Sequence, residues 1–374
     1  MSAPEIRWGV VGTGWVARDY VGPAIEASRN GRVVGACDLD PAALAAFLSG
    51  REMTRTDRLD ELLGLGLDAV YVATPNHAHL GPVAAAAAAG VPILCEKPMA
   101  RTVAEAERLA EAVRHPARDG ARPSGTLYAT AFDQRFHPAH TALRQLIADG
   151  ALGTVTAVRI RYACWTGPDW SPDGNPHDNW RADPDRAGGG AFIDLAPHGL
   201  DLTQTLLGEP LVDVAALFQR RVHDYAVDDG AALVARTASG ALLNLSVAYN
   251  CPDAFPRREL EVVGTRARAL ALNTMGQTPG GTLTLTDAAT GQARPVPFDA
   301  EASPFRLQVE AFADAVRTGA PFGWTLDGDL HTMRLLAAAT GEPSAHVDPA
   351  GSPRPRGGTD MADRAPTGAA PAHA

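Results

Sequence analysis

Lys97, Asp194 and His198 are the residues of this 374-residue chain whose types and spacing suit acid–base work on a hydroxyl group. Lys97 stands in Glu96-Lys97-Pro98, directly after the apolar run 92–95. A lysine at a strand end in a partly dry crevice has its pKa lowered and can share a proton with a substrate hydroxyl; the plainer reading is a surface lysine paired with Glu96. Asp194 and His198 lie four apart in Asp194-Leu195-Ala196-Pro197-His198-Gly199-Leu200-Asp201. On a helix they share a face, with Asp201 three residues further on the same side. A carboxylate one turn from an imidazole can fix its tautomer and raise its basicity, as a general base requires. Pro197 would remove one helical hydrogen bond, so a helix starting later, with Asp194 as its N-cap, is the alternative.

The second chemistry is that of a phosphate cradle. Gly12-Thr13-Gly14-Trp15-Val16-Ala17 follows the apolar run 6–11 and precedes a second run, 33–37, closed by Asp38. Gly12 permits a tight turn, Gly14 a close approach of backbone to a pyrophosphate, and the small Ala17 lets the following helix pack against the strand. That helix presents free N–H groups and the positive end of its dipole. Asp38 can accept from both adenosine ribose hydroxyls, and Leu39 supplies no arginine for a 2′-phosphate, so NAD is expected over NADP. The bland alternative is a glycine turn in an α/β core with no nucleotide. Thr74-Pro75-Asn76-His77-Ala78-His79 closes another strand, and with Lys97 it lies where open α/β sheets bind ligands. His77 and His79 read chiefly as loop groups satisfying backbone. No metal is expected, because neither carboxylate nor cysteine joins them at ligand spacing.

The elements that must position these residues follow from periodicity. From residue 6 to about 132, strands and helices alternate, with Asp40 capping a helix at Pro41, another helix from Asp57, a strand at 69–73, and the capping box Thr102…Glu105. Residues 1–132 are therefore expected to form a Rossmann dinucleotide-binding domain with a six-stranded parallel sheet. After a helix over 138–149 the rhythm becomes β-rich, with strands expected at 155–162, 212–218, 231–237, 242–249, 259–263 and 283–286, and a helix at 188–207. The fold class is thus α/β followed by α+β, a Rossmann domain and then a mostly antiparallel open sheet flanked by helices over 133–342, which late helices at 305–317 and 328–340 close. The Pro-, Ala- and Gly-rich residues 343–374 are expected to be a disordered tail.

A net charge of −10 with no basic cluster argues against a nucleic-acid partner. Cys37, Cys95, Cys164 and Cys251 are widely spaced and show no C-x-x-C, which fits a reducing compartment without structural zinc. No apolar run reaches a membrane span of about 18 residues, and the start of the chain leaves no room for a secretory signal, so a cytoplasmic location is expected.

Taken together, Gly12 to Gly208 resembles the glucose-fructose oxidoreductase, inositol dehydrogenase and rhizopine-catabolism family (Gfo/Idh/MocA). The pieces that carry the resemblance are Thr74-Pro75-Asn76 with His79, Glu96-Lys97-Pro98, Arg135-Phe136-His137-Pro138, Trp180-Arg181, Gly188-Gly189-Gly190, and Asp194 with His198. One departure is Ala196-Pro197, where many members carry a glycine. The resemblance implies Lys97, Asp194 and His198 as catalytic residues. A nicotinamide cofactor would be held by Gly12, Gly14, Trp15, Val16, Asp38, Thr74, Pro75, Asn76, His79, Glu96 and Lys97. The resemblance also implies a substrate pocket in the sheet domain and a homodimer or homotetramer formed through the open sheet face. The segment 165–180, with Trp165, Asp169, Trp170, Asp173, Asn175, His177, Asp178 and Asn179, has the aromatic and hydrogen-bonding groups a polyhydroxylated ring needs. With Arg135 and Arg181 it is the expected substrate surface; a packed surface loop is the alternative. The expected function is NAD-dependent oxidation of a secondary hydroxyl of a sugar, cyclitol or derivative, in which Asp194 orients His198. The alternatives are an NAD-dependent, redox-neutral glycoside hydrolase and a non-catalytic nucleotide-responsive regulator.

Overall fold

The computed structural model describes residues 5–116, 125–171, 179–320 and 322–341. Asp173, Asn175, His177, Asp178 and the 343–374 segment lie outside them. The first layer contains β1 (Ile6–Val11), β2 (Gly31–Cys37), β3 (Thr54–Thr56), β4 (Ala69–Val72), β5 (Ile93–Cys95) and β6 (Tyr128–Thr130), in the order β3-β2-β1-β4-β5-β6. Every pairing is parallel. Strand order reverses beside β1, and the carboxyl ends of β1, β4 and β5 open there on one crevice. These strands are buried on both faces and read as continuous apolar runs, as a parallel sheet under two helix layers requires.

The second layer contains β7 (Val155–Ala163), β8 (Leu211–Gln219), β9 (Gly230–Thr237), β10 (Leu242–Ala248), β11 (Arg258–Gly264), β12 (Ala267–Leu272), β13 (Thr282–Asp287) and β14 (Ala293–Pro295). Their order is β14-β13-β12-β11-β7-β10-β9-β8, antiparallel throughout except where β7 meets β10. Burial alternates along β10 and along β9 from Ala231 onward, so one face packs on the helix Ala191–Leu207 and the other is open. Thr54–Thr56, Ala267–Leu272 and Ala293–Pro295 are strands that apolar patterning does not mark; the first and last have three residues each.

The late helix Pro304–Thr318 does not stay with the second layer. Its Phe305, Val309 and Phe312 join Trp8, Val10 and Ile25 in the core on one face of the first sheet, with Phe312 and Trp8 5.7 Å apart. Each such fully buried side chain contributes about 2 kcal/mol, which is why the chain returns across the crevice. Among the described residues, no helix is long and apolar enough to cross a membrane.

Candidate active site

The glycine turn is built around the end of β4. Gly12 has φ +85°, and a Cβ there would meet the Ala73 carbonyl and Thr74 nitrogen at 2.8 Å. A Cβ on Gly14 would meet nothing within 4 Å, so this backbone faces open space where a ligand can come close. Asp38 braces the turn: its Oδ2 accepts from the Thr13 N–H at 2.5 Å and the Thr13 hydroxyl at 2.9 Å, and its Oδ1 from Asp40 N–H. The buried Thr74 hydroxyl has no partner. An open glycine backbone, a helical segment behind it and an orphan hydroxyl at the next strand end fit a dinucleotide held by Gly12, Gly14, Asp38 and Thr74. The segment after the turn opens as a π-helical turn, Ala17–Val21, and continues as the α-helix Gly22–Glu26.

Other residues expected around the cofactor have structural employment. His79 is buried, with Nε2 2.9 Å from the Thr74 carbonyl and Nδ1 3.4 Å from the Met99 carbonyl, and its single N–H donates to one of them, so the ring sits between the ends of β4 and β5. Burial keeps this imidazole neutral by lowering its pKa. Asn76 gives its amide N–H to the Ala187 carbonyl, so Pro75 and Asn76 link the first layer to the triple-glycine segment. Glu96 points inward; Tyr71 Oη donates to it at 2.8 Å and the Lys97 N–H at 3.1 Å.

The triple glycine sets the start of the helix Ala191–Leu207. A Cβ at Gly190 would lie 1.9 Å from the Asp228 carbonyl oxygen, so only glycine allows this approach. Asp228 in turn accepts from the Gly190 and Phe192 N–H groups at 2.9 and 2.8 Å, capping the helix from another loop. Asp194 is therefore inside the first turn rather than the N-cap, and the helix runs on through Pro197.

Asp194 and Lys97 meet across the crevice. Lys97 Nζ donates to Asp194 Oδ1 at 2.5 Å and to the Asp194 carbonyl at 3.1 Å, while Tyr249 Oη donates to Oδ2 at 2.6 Å and Arg181 Nε stands 3.9 Å away. Burial opposes charge on Asp194, but Lys97 and Arg181 outweigh it and hold the carboxyl well below the usual range. Asp194 does not orient His198. Its two oxygens are taken by Lys97 and Tyr249, and the carboxylate that faces His198 Nδ1, at 3.7 Å, is Asp133. A shared helical face brings two side chains near each other, but stronger partners across the crevice decide where they point.

Arg135 is likewise not at the substrate surface. It is buried, its guanidinium held by Asp201 at 2.5–3.1 Å and by Asp329 at 2.8 Å, and lies against the Phe132 and Trp324 rings. Asp201, on the helix face expected to carry chemistry, is spent on this core triad. Trp165 is 44% exposed, and its ring meets that of His223 edge-on. Arg181 does reach the site. Its guanidinium lies over Trp180 at 4.6 Å, Trp170 at 5.5 Å and Trp15 at 5.8 Å, and Trp15 meets Trp170 edge-on. Val16 packs on the core of the first layer. This aromatic cluster joins the glycine turn to the 165–180 segment across the crevice.

Tyr249, Asp133 and Tyr162 are site residues the sequence reading misses. Tyr249 directly follows β10, and Asp133 is two residues before Arg135; neither has a motif of its own. Tyr162, the penultimate residue of β7, has its ring 5.5 Å from that of His198.

Two matches with known proteins cover most of the described chain. Residues 6–118 match the oxidoreductase family with NAD-binding Rossmann fold, and residues 140–270 match the GFO/IDH/MocA C-terminal domain. The chain belongs to the GFO/IDH/MocA oxidoreductase family. It is 30% identical to 1,5-anhydro-D-fructose reductase of Ensifer adhaerens, over 90% of this chain and 97% of that one. It is also 30% identical to inositol 2-dehydrogenase 1 of Saccharopolyspora erythraea, over 85% and 88%. Among solved structures, an oxidoreductase domain protein from Kribbella flavida superposes with a TM-score of 0.78 at 26% identity, covering 91% of this chain and 97% of that one. This GFO/IDH/MocA protein is an NAD(P)-dependent oxidoreductase acting on CH–OH groups.

Proposed function

We propose that the protein is an NAD-dependent dehydrogenase that oxidises a secondary hydroxyl of a sugar, cyclitol or sugar derivative. The observation that carries this reading is the Lys97–Asp194 pair at 2.5 Å, placed at the carboxyl end of β5 beside the open glycine turn. When bound, the nicotinamide supplies the hydride acceptor. Lys97 offers a cationic donor to the hydroxyl oxygen and to the alkoxide character that develops there. Asp194, kept ionised, and the Tyr249 hydroxyl hold Lys97 in place. His198, kept neutral by burial and by Lys97, is a base ready to take the hydroxyl proton. Arg181 and its tryptophans form an aromatic and hydrogen-bonding wall suited to a polyhydroxylated ring. The names of the Ensifer and Saccharopolyspora relatives support the substrate class.

Asp38 followed by Leu39 supports NAD over NADP. The free Cys37, Cys95, Cys164 and Cys251 support a reducing, cytoplasmic setting. The open face of the second sheet, where Leu217, Val234 and Leu242 are each more than half exposed, supports association with a second copy of the chain.

The test is NADH formation by the purified protein against inositols, aldoses, anhydrosugars and amino sugars, with NADP in parallel. Turnover of one of these classes with NAD is expected. Turnover with NADP alone overturns the assignment to Asp38, and no net reduction across the panel overturns the dehydrogenase reading.

A further inference from the structure

His198 and Asp133 face each other with the pair left open between them. His198 is 4% exposed and held edge-on between the Phe132 and Tyr162 rings. Its Nδ1 is enclosed and has no hydrogen-bond partner, and Asp133 Oδ1 lies 3.7 Å from it. Asp133 is 3% exposed, and its other oxygen, Oδ2, accepts from Gln134 Nε2 at 2.9 Å. A separation of 3.7 Å is longer than a hydrogen bond. Bonds of this kind tighten when a site closes on its ligand, and a change of about 1 Å is within the reach of side-chain torsion.

We infer that Asp133 is a positioning residue of this site: its carboxylate accepts the Nδ1 proton of His198, leaving Nε2 free as the base, and holds the imidazolium that forms. The inference rests on the dehydrogenase reading above. In the step it serves, the substrate O–H bond breaks and its proton goes to Nε2. The carbinol C–H bond breaks with its electron pair, which leaves as hydride to the dinucleotide, and the C=O bond forms. The positive charge on the imidazolium is matched by Asp133, and the proton then returns to solvent.

Asp194, one turn before His198, cannot do this, because Lys97 and Tyr249 hold it. The groups around the pair are Tyr71 on β4, Glu96 and Lys97 at the end of β5, Tyr162 on β7, Asp194 on the histidine's own helix, and the uncharged Gln134 and Gln308. With its amide oriented to satisfy it, Gln308 accepts from the Asp133 N–H at 3.1 Å. Burial and the nearby Glu96 raise the Asp133 carboxyl to about 7, while burial and Lys97 push His198 down. Asp133 is thus the member of the pair whose charge changes near neutrality, while His198 stays neutral there and can give its Nδ1 proton to the carboxylate.

The experiment titrates protein carrying 13C-labelled aspartate carboxyls by NMR, in the wild type, Asp133→Asn and His198→Asn. One carboxyl titrating near neutrality is expected in the wild type, absent from Asp133→Asn and displaced in midpoint in His198→Asn. In parallel, Asp133→Asn should lower kcat about 10- to 100-fold with KM nearly unchanged and flatten the inflection of the pH profile near neutrality. Asp133→Glu should restore part of the rate with a displaced inflection. No aspartate titrating near neutrality, a midpoint indifferent to His198→Asn, or an unaltered pH profile in Asp133→Asn overturns the inference. The carboxyl titration needs no substrate, so it decides the pairing even if no polyol is turned over and the dehydrogenase reading fails.

Discussion

Lys97 and Arg135 look alike in sequence, each a cation beside a strand end, yet the partners they find give them opposite roles. Lys97 meets one carboxylate at the mouth of the crevice and keeps capacity to donate to a ligand. Replacing it with methionine should cut turnover about a thousandfold while NADH affinity, read by fluorescence, changes only a few fold; unchanged turnover removes the role. Arg135 is closed in by Asp201 and Asp329. Arg135→Met leaves two buried carboxylates unpaired and should cost about 3–5 kcal/mol, seen as a large fall in Tm. A raised KM at unchanged Tm would instead return Arg135 to the substrate surface. Asp133 carries a stability signature too. Its folded-state carboxyl titrates at about 7 against an ordinary value of 3.8, so the fold holds this proton more tightly than the unfolded chain does. Stability from this group is full below about pH 4 and is lost as pH rises through about 7. Asp133→Asn should therefore match the wild type at low pH and exceed it at pH 8 by on the order of 4 kcal/mol, measured by denaturant unfolding at the two pH values.

Among the elements, the helix Ala191–Leu207 does most to place the chemistry, and its start is set from outside. A helix whose N-cap is glycine has no side chain to satisfy its first N–H groups, and Asp228 does so instead. Asp228→Ala should cost about 1 kcal/mol of stability, as loss of a cap does, and speed amide exchange at residues 190–195. Protection there equal to wild type would show that the glycine segment holds the turn without Asp228. This helix was legible from the Asp194–His198 spacing, and Pro197 neither ends nor delays it. Its capping partner was not legible, because Asp228 is 38 residues away and carries no local signal. The same holds for the short strands of the sheet edges, which pair through neighbours rather than through their own apolar pattern.

At the scale of the whole molecule, the open face of the eight-stranded sheet carries several of the exposed large apolar side chains among the described residues. Leu217 on β8, Val234 on β9 and Leu242 on β10 lie exposed on the β10-β9-β8 side of the cross-strand ion pairs Arg161–Glu259 and Arg159–Glu261, which join β7 and β11. Leu217→Arg with Val234→Arg should convert an assembly of the native protein to monomer in light scattering while leaving Tm nearly unchanged, since both side chains point to solvent in the single chain. A native protein that is already monomeric removes this use of the face.

By itself the sequence determined the dinucleotide turn, the alternation of the first layer, the β-rich second layer and the presence of Lys97, Asp194 and His198. Those are local properties, set by glycine conformations, by periods of 2 and 3.6 and by residue identity. Tertiary structure alone decided which charged groups meet: Asp194 with Lys97 and Tyr249, Asp133 beside His198, and Arg135 in the core with Asp201 and Asp329. The late helix on the first sheet was decided in the same way. Each of these pairings joins segments tens to hundreds of residues apart, and a buried charge takes the partner that packing brings to it, which no spacing along the chain encodes.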